Sequence, residues 1–138
     1  MKNNDLADYI RISKKIGIRA DFVQGGGGNT SFKTSDGKMF IKSSGFRLEE
    51  LTLNYGYSIV DFKAIQNYLL KPDSTDYQFS QGIYSTSFNN YQIPSIETGF
   101  HSLLGKWVIH THSVYTNILT CSKEGKSIIK KLFPESEW

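Results

Sequence analysis

Two five-residue β-prone runs, Asn29–Lys33 and Lys38–Lys42, flank the tripeptide Ser35-Asp36-Gly37. Glycine at the end of such a turn supplies a positive φ at little cost, so this stretch reads as an antiparallel hairpin. A hairpin commits the chain to a sheet, and the remaining segments must supply its other strands and the helices that cover it. Leu6, Tyr9, Ile10, Ser13 and Ile16 share a helical face, with Asn4 or Asp5 as N-cap and Gly17 as the stop. A short helical piece is expected over Arg47–Leu51 and a strand over Tyr57–Val60. Asp61 then caps a helix running to Leu70, with Phe62, Ile65, Tyr68 and Leu69 inward.

Residues 71–94 are polar and rich in tyrosine, with turn residues at Pro72-Asp73 and Gly82. A loop of that length inside a compact domain is uncommon, and a hairpin of Gln78–Ile83 with Thr86–Tyr91 is the expectation. Pro94-Ser95 opens a helix over Ile96–Leu104, which Gly105 ends. Lys106–His112 reads as a buried strand. Ser113 caps a following helix with Val114, Ile118 and Cys121 inward, and a last helix covers Lys126–Phe133. This order predicts an α/β or α+β sandwich.

A chain of 138 residues fits one domain, 1–138, and its 9 Phe, 8 Tyr and 2 Trp supply enough apolar area for a core. Disorder is excluded by that content. Sixteen Lys and Arg against 13 Asp and Glu leave a net charge of +3, scattered rather than striped. A nucleic-acid partner is therefore not expected, whereas an anionic metabolite is compatible. No window approaches the ~20 apolar residues of a membrane span. The single Cys121 and the absence of a signal-peptide pattern at the N-terminus point to a reducing, cytoplasmic setting.

Three groups of residues can do chemistry. His110 and His112 alternate on one strand, so both imidazoles project to one face, either as half of a zinc site or as two hydrogen-bonded side chains. Glu97 and His101 are four apart on the preceding helix and share a face. A carboxylate there is either a metal ligand or general base, or simply a first-turn Glu favoured by the helix dipole. Gly25–Gly28 with Asn29-Thr30-Ser31 offers backbone and side-chain donors to an anion, or is a flexible turn; Ser43-Ser44-Gly45 can close on the same anion. Neither a Walker loop nor a dinucleotide fingerprint fits, because no Gly-Lys-Ser/Thr follows the glycines and the next element is a strand.

Four blocks, in order, resemble the class II aldolase/adducin family: Gly26-Gly27-Gly28-Asn29-Thr30-Ser31-Phe32-Lys33, Ile41-Lys42-Ser43-Ser44-Gly45, Pro94-Ser95-Ile96-Glu97-Thr98-Gly99-Phe100-His101 and Val108-Ile109-His110-Thr111-His112. The likeness runs from the first helix to Leu132-Phe133-Pro134. It implies an α/β/α sandwich around a mainly antiparallel sheet, assembled as a homotetramer. It also implies metal-dependent carbon–carbon cleavage of a small sugar phosphate, releasing dihydroxyacetone phosphate or a near relative. Carried over by motif, Glu97 is the acid/base residue, and His110 and His112 hold Zn2+ or another divalent metal. Gly28, Asn29, Ser44, Gly45 and Ser95 hold the phosphate.

Ile96 departs from the small polar residue often found beside the family's Glu. The family chain also continues past the Leu-Phe-Pro stretch and brings a third zinc-binding His, and this sequence has no His after His112. The expectation is thus a fold lacking the family's C-terminal elements and a two-imidazole site that binds zinc weakly, unless His101 or a neighbouring subunit substitutes. The rival to an aldolase is a non-catalytic, adducin-like module with the same fold and an incomplete metal site. Epimerase or dehydratase chemistry is a third reading, because it can use the same metal and carboxylate.

Overall fold

The computed structural model describes residues 4–70, 75–89 and 92–135. The hairpin is as the sequence dictates: β1 (Asn29–Lys33) and β2 (Lys38–Lys42) pair antiparallel with Phe32 opposite Phe40, and Gly37 turns at φ +88°. β3 (Tyr57–Asp61) adds antiparallel to β2, and β4 (Trp107–His110) adds antiparallel to β1. The strand order is β3-β2-β1-β4.

Alternation along β1 and β2 sends side chains to two different helical layers. Phe32, Phe40 and Tyr57 face helix α1 (Asp5–Gly17) and pack on Tyr9 and Ile10. Met39, Ile41 and Val60 face the opposite way and pack on Ile65 of α2 (Phe62–Leu69). Helices therefore cover both faces, the α/β sandwich expected of the sequence. Asp61 caps α2 as expected, its carboxylate accepting from the backbone N–H groups of Lys63 and Ala64 at 3.0 Å each. A 3-10 turn over Leu48–Glu50 packs on α1.

Five local expectations are corrected. The segment expected to form a hairpin of Gln78–Ile83 with Thr86–Tyr91 is instead helix α3 (Asp76–Ser85), opened by a capping box between Thr75 and Gln78; Tyr91 lies outside the described residues, as does Pro72-Asp73. Gly82 is not a turn residue but a helix residue pressed on α2, where a Cβ would come within 2.9 Å of the Tyr68 ring. The helix after Pro94-Ser95 is shorter than Ile96–Leu104: α4 spans Thr98–Leu103, with Glu97 at its N-cap position.

β4 is an edge strand rather than a buried one, leaving Trp107 and Ile109 40% and 52% exposed. Val114, Ile118 and Cys121 of α5 (Val114–Cys121) are exposed rather than inward, because α5 packs chiefly on α6 (Gly125–Leu132). No helix among the described residues is long and apolar enough to cross a membrane.

Candidate active site

The candidate site lies where the first residue of β1 meets the last of β4. Asn29 and His110 are direct antiparallel partners, so their side chains leave the same face of the sheet as Ser31. That face receives α4. The hydroxyl of Ser31 is 2.7 Å from Nδ1 of His101. Two residues on, the Lys33 ammonium donates to the carbonyl oxygens of His101, Leu104 and Gly105 at 2.6, 2.8 and 2.8 Å. One buried cation thus satisfies the open carbonyls at the end of α4 and seats the helix on β1. Desolvation lowers the Lys33 pKa.

Seated this way, α4 delivers Glu97 and His101 to His110. Glu97 Oε1 is 3.1 Å from His110 Nδ1. One donor atom from each of Glu97, His101 and His110 lies within 4.8 Å of the other two. His101 is fully buried, while Glu97 and His110 are half-buried. His112 falls outside this convergence: it is exposed, beyond the end of β4, its ring centroid 5.0 Å from that of His110. The glycine run packs against it at Gly27, where a Cβ would lie 2.9 Å from His112 Nδ1.

Burial pushes the His101 pKa down from 6.5 to about 4; Glu97 opposes the shift, and His110 and Lys33 add to it. The ring is therefore neutral at pH 7. The unfolded chain takes up this proton before the folded one does. The stabilising preference for neutral His101 is thus complete above pH 6.5 and is lost as the pH falls toward about 4. Melting curves of the metal-free protein should drop across that window, and the His101→Gln variant should drop less.

The expected phosphate residues are brought near one another in two groups. Gly28, at φ +70°, packs so tightly that a Cβ would sit 2.4 Å from Val23 and 3.0 Å from the His110 carbonyl. Asn29 follows it, fully buried. In the second group, an isolated bridge between Ser43 and Pro94 and a bond from Ser44 N–H to the Ile93 carbonyl draw the Ser44-Gly45 turn to Ser95. Ser44 and Ser95 line one cavity of about 170 Å³ with Ser80 and Tyr84. Ser95 Oγ also accepts from the Glu97 N–H at 3.3 Å.

Lys42 links the two groups. Its ammonium donates to the carbonyls of Gly26 and Phe46 at 3.2 and 2.9 Å, tying the glycine run to the turn after β2. Burial lowers its pKa, while Glu97 and Glu50 act to raise it. A larger cavity of about 720 Å³, lined by Lys33, Thr34, Gly105 and Lys106 among others, sits at the far end of β1, away from the expected phosphate and metal residues.

Sequence reasoning missed Ser31, Lys33 and Lys42 as organisers of the site. The signal was present for the first two. Asn29, Ser31 and Lys33 are polar at alternate positions of a strand, which normally marks a solvent face, yet all three are buried.

A family description, class II aldolase and adducin N-terminal domain, matches residues 7–137. The chain belongs to that family. No curated protein matches this class II aldolase/adducin domain in sequence. Among solved structures it is similar to the N-terminal class II aldolase domain of a conserved protein from Thermoplasma acidophilum. The TM-score is 0.81 at 25% identity, over 96% of this chain and 66% of that one. It also resembles in fold YgbL of Klebsiella pneumoniae, described as a candidate aldolase/epimerase/decarboxylase. There the TM-score is 0.60 at 20% identity, over 86% of this chain and 48% of that one. The chain thus spans just under two thirds and about half of the lengths of these two structures.

The donor set fits a divalent ion. Two buried side-chain atoms on this face, Asn29 Nδ2 and His101 Nε2, have no hydrogen-bond partner among the described residues, and a third, His110 Nδ1, lies 3.1 Å from Glu97 Oε1 without hydrogen-bond geometry. An unsatisfied buried polar atom costs roughly 1–3 kcal/mol, so this cluster beside a carboxylate marks a place built for something to bind. Imidazole nitrogens and a carboxylate oxygen are the donors a borderline ion such as zinc takes.

Proposed function

We propose that this class II aldolase/adducin domain is a metal-dependent carbon–carbon lyase acting on a small sugar phosphate. The observation that carries the reading is the Glu97 carboxylate 3.1 Å from His110 Nδ1, with the unpartnered His101 Nε2 on the same face. In this reading His110 and His112 hold the ion and Glu97 is the acid/base residue. Bound there, a divalent ion supplies Lewis acidity toward the carbonyl and hydroxyl oxygens of a ketose.

The chain's own residues do the rest. Glu97, half-buried and anchored by its N–H to Ser95, moves the proton at the carbon next to the carbonyl. Gly28, Asn29, Ser44, Gly45 and Ser95 hold the phosphate, and Lys42 keeps their two loops in register. Binding energy from the phosphate then orients the reacting carbons. The exposed apolar side chains of the β4 edge and of α5 support the homo-oligomer that the family implies.

The test is to load the purified protein with zinc and incubate it with dihydroxyacetone phosphate in deuterated water. Stoichiometric zinc and zinc-dependent exchange of one carbon-bound proton are the expected results. Failure to take up zinc, together with no exchange, favours the adducin-like binding module instead. Exchange without cleavage of any ketose phosphate favours the epimerase or dehydratase reading.

A further inference from the structure

His112 is the imidazole that the sequence pattern pairs with His110, but it is not the one the fold brings to Glu97. That residue is His101, and its environment is that of a held ligand. Its Nδ1 is taken by the Ser31 hydroxyl at 2.7 Å, which leaves Nε2 as the one free ring nitrogen. Nε2 is buried and makes no hydrogen bond, to Glu97 or to any other described residue. A second-atom partner of this kind is what orients metal-bound histidines: with Nδ1–H donating to the Ser31 oxygen, the ring plane is held and Nε2 keeps its lone pair for an ion. The backbone behind the ring is fixed as well, since Lys33 binds the His101 carbonyl at 2.6 Å.

We infer that His101 is a direct ligand of the divalent ion, donating through Nε2 to the same point as His110 and Glu97. The inference rests on the metal-dependent reading above and deepens it, because it supplies a further nitrogen donor from within the chain. The donor atoms of the three residues lie within 4.8 Å of one another. Tetrahedral zinc with legs of about 2.0–2.1 Å wants them roughly 3.4 Å apart. Closing that gap takes side-chain movement: His101 is clamped by Ser31 and Lys33, so the half-buried Glu97 and His110 side chains are the ones that shift. His112, exposed and against Gly27 with its ring centroid 5.0 Å from that of His110, remains the other nitrogen donor of that reading, and His101 adds to it.

Two measurements test the assignment with zinc sulfate as the probe. Zinc affinity, read by competition with a chromophoric chelator, should fall at least about 100-fold in His101→Gln, at or beyond the roughly 10–100-fold lost with an outer-shell partner. Thermal melts of the variant establish that it is folded. Nitrogen-15 spectra of the unmutated protein, which need no substitution, should show His101 Nε2 shifting on addition of one equivalent of zinc while Nδ1 stays in place.

An unchanged affinity in the variant together with an unmoved Nε2 resonance overturns the assignment. If His110→Gln abolishes binding under those conditions, the metal-dependent reading survives without His101. If the unmutated protein binds no zinc at all, the assignment and that reading fall together.

Discussion

Glu97→Gln should leave a folded protein that binds zinc more weakly and in which, at saturating zinc, proton exchange at the carbon of dihydroxyacetone phosphate is slowed roughly 10²–10⁴-fold, the usual contribution of a positioned general base. Glutamine is nearly isosteric, and the bond from the Glu97 N–H to Ser95 Oγ belongs to the backbone, so the start of α4 should survive the change. What disappears is the basic oxygen 3.1 Å from His110. Exchange followed by proton NMR in deuterated water reads the step directly, and a circular dichroism spectrum matching that of the unmutated protein separates lost chemistry from lost structure. Undiminished exchange removes Glu97 from the proton transfer.

The largest effect on stability is expected at Phe32. Its ring is fully buried and lies in the middle of an aromatic row that crosses the sheet. Tyr57 of β3 packs on Phe40 of β2 at 5.5 Å between centroids, Phe40 stacks on Phe32 at 4.7 Å, and Phe32 stacks on Trp107 of β4 at 5.1 Å. Tyr9 of α1 covers the same ring at 5.2 Å. Phe32→Ala therefore opens a cavity touching three neighbouring elements, α1, β2 and β4, and such truncations cost about 3–5 kcal/mol. Urea unfolding should show a midpoint lowered by that much stability with little change in slope. Phe32 also stands between Ser31 and Lys33, which hold His101 and α4. Zinc affinity should weaken along with stability, because the strand that fixes the site loses its packing. A loss below about 1 kcal/mol would mean that the row adds little to the core.

Particular residues show how far the sequence reaches. The β1–β2 hairpin, the Asp61 cap and the four-residue spacing of Glu97 and His101 depend on neighbours in the chain, and the structure has them where local chemistry puts them. Residues 76–85 were open to the same treatment, since Thr75 and Gln78 spell a capping box. The tyrosines and Gly82 suggested strand and turn instead, and only the packing of Tyr68 on Gly82 explains why a glycine sits in that helix. The inward face assigned to α5 failed for the opposite reason. Its pattern is amphipathic, but among the described residues little besides α6 lies against it.

The sequence by itself determined the hairpin, the Asp61 and Ser113 caps and the family, because those follow from backbone preferences and from short motifs read along the chain. It also placed three imidazoles and one carboxylate within sixteen residues, from Glu97 to His112. Which of those imidazoles meets the carboxylate was decided by tertiary structure. That choice depends on Ser31 reaching across 70 residues to His101, and on Lys33 binding the end of α4, contacts whose partners no local pattern can name.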